Sequence, residues 1–125
     1  MDDSARFPRP LTHREQALLE FVLGHDFPGA PELRTQAKTT RARGYWEDLP
    51  TIVLLEVMDP DAPRASVVHP VPIEFEVDAS YSPSELLLFV KEGLLDSLEL
   101  VVHKDVPVDE LPAPAQLGRG RLPTA

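Results

Sequence analysis

The sequence contains no cysteine. This absence excludes disulfides, thiolate metal sites, iron–sulfur clusters and cysteine nucleophiles. No run of about 18 apolar residues is present, so we predict no membrane-spanning helix. Residues 1–10 are polar, contain two prolines and lack the apolar stretch of a secretory signal. We therefore predict a cytoplasmic protein.

Aromatic residues are scarce, at 6% of the chain with a single tryptophan, whereas the 14 prolines are abundant. The hydrophobic share of 42% in 125 residues is that of one globular domain with its own core. We predict a single domain over residues 11–117. Residues 1–10 are predicted to form an N-terminal tail and residues 118–125 a mobile C-terminal tail.

The net charge of −9 is unevenly distributed. Residues 1–44 contain six acidic and seven basic side chains, whereas residues 45–103 contain twelve acidic and two basic ones. This balance disfavours nucleic acids and anionic membranes, because both attract cations. It suits a basic protein partner, although an ordinary solvated surface is the simpler interpretation. The predicted partner is a protein or a second copy of the chain, with no nucleic acid and no membrane.

One segment has the opposite charge. Residues 33–44 contain Arg34, Lys38, Arg41 and Arg43 and no acidic residue. Such a run can bind a phosphate or a carboxylate. The alternative, which we favour, is a solvated helix face followed by a strand edge, where basic side chains prevent pairing with other strands.

The first helix is predicted over 13–23. Thr12 and Glu15 have the spacing of a capping box, in which each side chain bonds the backbone amide of the other residue. Apolar residues then recur at helical spacing until Gly24, which ends the helix.

The second helix is predicted over 31–38. Pro31 suits its first position, and Glu32 suits the positive end of the helix dipole. Residues 26–29 between the helices are predicted to form a turn, with Phe27 folded into the core.

The strands follow the helices. Residues 39–43 are predicted to be extended, and 44–50 to contain a turn or a long loop. Residues 51–58 are apolar at odd and even positions alike, except at Glu56. This pattern predicts a central strand covered on both faces. Residues 71–78 alternate between apolar and polar, which predicts a half-buried strand.

Residues 82–92 fit either a helix or a strand. Ser82 and Glu85 suit a helix start. However, Gly93 would cost about 1 kcal/mol in a helix interior. We favour a hairpin with strands over 85–91 and 96–103. The predicted fold class is α+β, with two N-terminal helices packed on an antiparallel sheet of about four strands, followed by a proline-rich C-terminal tail.

Four segments resemble a known family. They are residues 11–15, the F-P-G-x-x-x-L-R-x-Q segment at 27–36, residues 88–99 and the proline-containing residues 111–117, and they are similar to an uncharacterised family of small bacterial proteins without known activity. The resemblance spans residues 11–117 and implies a helix and the F-P-G segment before antiparallel strands. Many members carry a cysteine–glycine cluster where this chain has residues 44–49 without cysteine, so any metal site of those cysteines is absent here.

The chain has no predicted catalytic residue, metal ligand or cofactor. No two of its histidines lie within ten residues of each other, and each is interpreted as a surface or capping residue: His13, His25, His69 and His103. A site assembled in space from His69, His103 and a carboxylate remains an alternative. Glu74, Glu76 and Asp78 share a strand face but are interpreted as solvated.

Glu56 is a candidate binding residue because it interrupts an apolar strand. A buried carboxylate without a partner is costly. We therefore expect Glu56 either to face water or to meet a cation such as Arg34 or Arg41.

Tyr45, Trp46, Glu47 and Asp48 form the best candidate surface. Aromatic residues flanked by acids on a loop are typical of protein-binding hot spots. The alternative is that Trp46 covers the edge of the core.

The main hypothesis is a non-enzymatic protein-binding domain with an acidic surface, either neutralising a basic toxin, as immunity proteins and antitoxins do, or forming a homo-oligomer. One alternative is a small-molecule-binding domain with its ligand between the helices and the sheet. The other is an enzyme with a spatially assembled histidine–carboxylate site.

Overall fold

The computed structural model describes residues 7–47, 49–66, 74–77, 84–102 and 111–121. These described residues contain two α-helices, one 3-10 turn and seven strands. The helices are α1 (His13–Leu23) and α2 (Ala30–Ala37), and the 3-10 turn is Pro114–Gln116. The strands are β1 (Arg9–Pro10), β2 (Thr40–Trp46), β3 (Leu49–Val57), β4 (Glu74–Val77), β5 (Ser84–Lys91), β6 (Leu94–Val102) and β7 (Leu117–Arg121). No described helix is long and apolar enough to cross a membrane.

The strands form one sheet in the order β1-β2-β3-β6-β5-β4-β7, and every described pairing is antiparallel. The four strands of seven to nine residues, β2, β3, β6 and β5, are neighbours at its centre. The three shorter strands lie at the two edges. The predicted α+β class is confirmed, and the strands predicted over 51–58, 71–78, 85–91 and 96–103 correspond in their described parts to β3, β4, β5 and β6.

Helix α1 has the predicted bounds and the predicted capping box. The Glu15 amide donates to the Thr12 hydroxyl, and the Thr12 amide donates to the Glu15 carboxylate. Leu18 and Val22 on the buried face are almost inaccessible to solvent. Helix α1 thus packs its apolar face on the sheet.

Helix α2 begins one residue before its predicted start. Gly29 precedes it with φ +93°, a conformation that favours glycine, and Pro31 lies in its first turn. Phe27 is buried, as predicted. Leu33 of α2 joins the same core cluster as α1 and the sheet.

Of the two alternatives for 44–50, the long loop is wrong, and the turn is present at Glu47. Strand β2 continues to Trp46, which pairs with Leu49 at the start of β3. Tyr45 and Trp46 are aromatic residues that favour strands. Gly44 marks a bulge within β2, where the register with β3 shifts, rather than the start of a turn.

The prediction that β3 is covered on both faces is also wrong. Val53 and Leu55 are buried towards the helices. On the opposite parity, Ile52 and Leu54 are partly exposed and Glu56 is exposed. The helices pack against one face of the sheet, so residues on the other face keep partial contact with solvent.

The hairpin between β5 and β6 is confirmed, and the helical alternative for the described residues 84–92 is wrong. Glu92 and Gly93 form the turn with φ values of +54° and +81°. A Cβ atom at Gly93 would lie 2.9 Å from the Ala65 carbonyl oxygen. Position 93 therefore requires glycine for two reasons: its positive φ, and the close approach of Ala65.

The sheet extends beyond the predicted domain limits of 11 and 117. Arg9–Pro10 pair with β2, and Leu117–Arg121 pair with β4. Residues 118–121 of the predicted mobile tail therefore form part of a strand. Residues 122–125 lie outside the described residues, as do His69, Asp78 and His103.

A buried glutamine joins α2 to the β5–β6 turn. The Gln36 side-chain amide donates to the carbonyl oxygens of Pro63 and Gly93, at 2.7 Å each, and its oxygen accepts from the Leu95 amide at 2.9 Å. The Thr40 hydroxyl donates to the Gln36 carbonyl oxygen at 2.8 Å. These bonds fix the position at which the chain leaves α2 and enters β2.

Candidate binding sites

Tyr45 belongs to a structural cluster around Arg9. The Arg9 guanidinium donates to both carboxylate oxygens of Glu15, at 2.9 and 3.0 Å, and to the Tyr45 hydroxyl. It also lies 5.4 Å from the ring centroids of Phe7 and Tyr45, which contact each other edge to face. The hydrogen bonds and charge of Glu15, together with Tyr45, raise the pKa of Arg9 above its already high usual value. The cluster fastens β1 to α1 and β2.

Trp46, Glu47 and Leu49 form an exposed surface that we call the hairpin tip. Trp46 and Leu49 are cross-strand neighbours with 54% and 44% of their surface exposed. Glu47 is exposed in the turn with φ +49°. Asp48, the fourth predicted residue of this surface, lies outside the described residues. Leu49 was missed by the sequence prediction, because its contact with Trp46 requires a hairpin in place of the predicted loop.

Arg34 caps the end of α1. Its Nε donates to the Leu23 carbonyl oxygen at 2.5 Å and its Nη2 to the His25 carbonyl oxygen at 3.1 Å. The same nitrogen lies 3.4 Å from the carboxylate of Asp26. A cation at this position satisfies carbonyl groups at the negative end of the helix dipole. The Arg34 guanidinium therefore stabilises the C-terminal end of α1.

Arg41 and Glu56 are register partners on β2 and β3, and both are exposed. Neither forms an ion pair with any residue that the structure describes. Of the two alternatives for Glu56, exposure to water is the one observed. Arg41 likewise has its charge available to solvent.

A cleft of about 1030 Å³ lies between the helices and the edge of the sheet. Its lining comes from residues 10–13, from one side of α1, from residues 37–41 after Arg34, and from Met58. Arg34 and Arg41 both line it, and so does Lys38. The structure thus brings together two of the predicted binding residues, while Tyr45, Trp46, Glu47 and Glu56 do not line this cleft.

The described titratable residues form no metal centre. Among them, no group of three or more histidine, aspartate and glutamate side chains is arranged to hold a metal ion. His25 has its Nδ1 2.9 Å from the Phe21 carbonyl oxygen, and His13 is exposed at the start of α1. The predicted alternative site with His69 and His103 lies outside the described residues.

No protein-family model, curated protein or solved structure matches the chain. The resemblance to the small bacterial family therefore stays a prediction. The hairpin tip and the cleft are the features from which a function is argued.

Proposed function

We propose that this chain is a non-catalytic domain that binds a basic protein through the hairpin tip. The observation that carries the proposal is the pairing of Trp46 with Leu49. Among the residues of described exposure, four large apolar side chains are exposed: Trp46, Leu49, Met58 and Val101. Single exposed apolar residues are ordinary, but two that adjoin at the end of a hairpin offer a contiguous contact.

The hairpin tip has the features of a hot spot, the part of an interface that contributes most of the binding energy. Tryptophan is among the residues most enriched where truncation weakens binding strongly. Trp46 and Leu49 are held by the β2–β3 ladder, and the Arg9 cluster fixes the adjacent Tyr45. A preorganised surface loses less conformational entropy on binding than a flexible loop.

The charge of the chain favours a basic partner. The net charge is −9, and the sequence from residue 45 to residue 103 contains twelve acidic residues. Glu47 adjoins Trp46 in the turn. Opposite charge accelerates association, whereas a second copy of this chain would carry the same negative charge. A basic toxin that this chain neutralises has the required chemistry, and a homo-oligomer is the less favoured form.

The test is affinity capture from the native lysate, with mass spectrometry of the retained proteins. The tagged full chain is compared with a Trp46→Ser/Leu49→Ser variant. Lys91→Ser is the control, since Lys91 is exposed at the β5–β6 turn, at the opposite end of the sheet from the hairpin tip. We expect a basic protein that the wild type and the control retain at low salt and release at high salt. The tip variant should bind the purified partner at least about 30-fold more weakly, as expected for loss of a hot-spot residue.

Two results would contradict the proposal. If the tip variant retains the partner as well as the wild type does, the binding surface lies elsewhere. If only copies of the chain itself or an acidic protein are captured, the inferred partner class is wrong.

A further inference from the structure

The cleft between α1 and the start of β2 differs in charge from the rest of the chain. Its lining contains three basic side chains, Arg34, Lys38 and Arg41, and one acidic side chain, Glu20. The lining therefore has a formal charge of +2, whereas the whole chain has −9. A positive cleft in an acidic protein raises the local concentration of small anions.

Two of these three cations have no ion-pair partner among the described residues. Arg34 already donates to two carbonyl groups of the α1 end. Lys38 and Arg41 are exposed, and neither forms an ion pair with a described residue. Arg43, the fourth base of the same run, instead bonds the Leu55 carbonyl oxygen and Asp96 and is not part of the lining. Of the four bases, Arg43 thus has internal partners only, Arg34 has internal partners and also lines the cleft, and Lys38 and Arg41 line the cleft without a described ion-pair partner.

The cleft also has an apolar component. Leu23 and Ala37 contribute buried side chains to the lining, and Leu11 is partly buried. Met58 lines it while 45% of its surface is exposed. Small-molecule sites typically combine such apolar walls with a few polar groups and have volumes of about 300–1,000 Å³. The volume of about 1030 Å³ lies just above the upper end of this range.

We infer that this cleft binds a small organic anion, in which a phosphate or carboxylate group is attached to an apolar body. Lys38 and Arg41 bind the anionic group, and the side chains of Leu23, Ala37 and Met58 contact the apolar body. This site is independent of the hairpin tip and of the proposed protein partner, so either proposal can fail without the other.

The test is an NMR titration of the ¹⁵N-labelled full chain with three probes. Phenyl phosphate carries both parts of the inferred ligand, benzylamine is an aromatic cation of similar size, and inorganic phosphate lacks the apolar body. We expect phenyl phosphate to shift the amides of residues 37–41 together with Leu23 and Gly24. The affinity for phenyl phosphate should exceed that for either other probe by about tenfold. This ratio corresponds to a difference of about 1.4 kcal/mol in binding free energy.

Charge-reversal variants show whether the two cations are responsible. Lys38→Glu and Arg41→Glu should each weaken phenyl phosphate binding by about fivefold, since an exposed ion pair contributes up to about 1 kcal/mol. Lys91→Glu makes the same charge change at an exposed residue of β5 that does not line the cleft. This control should alter the affinity less than about twofold, because salt screens distant charges.

Several outcomes would overturn the inference. Absence of shifts at about 10 mM phenyl phosphate would exclude binding even at the affinity of a weak fragment. Equal binding of benzylamine would exclude anion selectivity, and equal binding of inorganic phosphate would exclude the apolar contact. These comparisons use the wild-type chain, so they hold even if a variant does not fold. An equal loss in Lys91→Glu would attribute the effect to net charge rather than to the cleft.

Discussion

The two sides of the α2–β2 junction place neighbouring polar residues in opposite environments. Gln36 and Thr40 are buried and form the inner side, with 0% and 7% of their surface exposed, although Thr40 also borders the cleft. Lys38 and Arg41, which follow them by two residues and one, are exposed and line the cleft. Within six residues, the end of α2 and the start of β2 thus contain two buried and two exposed polar side chains.

The difference between the two sides lies in their hydrogen-bonding partners. On the inner side, Gln36 and Thr40 bond backbone groups of the β5–β6 turn, the Pro63 region and α2. On the outer side, Lys38 and Arg41 have no ion-pair partner among the described residues. A buried polar group without a partner is costly, so the inner side chains stabilise the fold, whereas exposed cations remain available to a ligand.

The largest expected effect is that of Gln36→Ala. The substitution removes three hydrogen bonds, two of them buried and one partly buried, and leaves the Pro63 and Gly93 carbonyl oxygens and the Leu95 amide without this partner. We expect the free energy of unfolding to fall by about 3 kcal/mol, measured by urea denaturation. The matched control is Gln16→Ala on α1, whose side chain bonds the exposed Glu20 and whose loss should change stability by less than about 0.5 kcal/mol. A loss below about 1 kcal/mol in Gln36→Ala would contradict the structural role of the inner side.

A smaller effect is expected for Thr40→Val. Valine keeps the shape of the buried side chain but cannot donate to the Gln36 carbonyl oxygen, which still accepts from the Thr39 amide at 3.1 Å. We expect a loss of about 1 kcal/mol in the free energy of unfolding, the usual contribution of one such bond. Thr35→Val is the control, because the Thr35 hydroxyl bonds the Pro31 carbonyl oxygen at an exposed position. Equal losses in both variants would show that burial at Thr40 does not strengthen its bond.

Much of the fold could be predicted because its signals lie in adjacent residues. The capping box of Thr12 and Glu15 defines the start of α1 within four residues, and Gly93 defines the β5–β6 turn. The extension of β2 to Trp46 was missed because Gly44 is typical of turns, while here it marks a bulge inside a strand. Local chemistry alone does not distinguish these two uses of glycine.

The candidate sites could be predicted only in part. The run of bases and the exposed tryptophan are visible in the sequence. The cleft is not, because packing brings residues near position 10, the side of α1, the end of α2 and Met58 to one place. The partners of Gln36 at positions 63, 93 and 95 are equally distant in sequence. Such contacts follow from the three-dimensional arrangement of elements rather than from spacing along the chain.

The smallest effect on stability is expected for Lys38→Glu, on the outer side of the junction. Lys38 is the C-cap residue of α2, so an acidic side chain there meets the negative end of the helix dipole. We expect a loss of only about 0.5 kcal/mol in the free energy of unfolding by urea denaturation, because the position is solvated and the charge has no described partner to lose. Lys91→Glu provides the comparison at a strand position. A loss above about 2 kcal/mol would show that Lys38 stabilises the fold, and the contrast between the two sides of the junction would not hold. A small loss combined with weaker binding of phenyl phosphate would instead separate the function of the outer side from the stability supplied by the inner one.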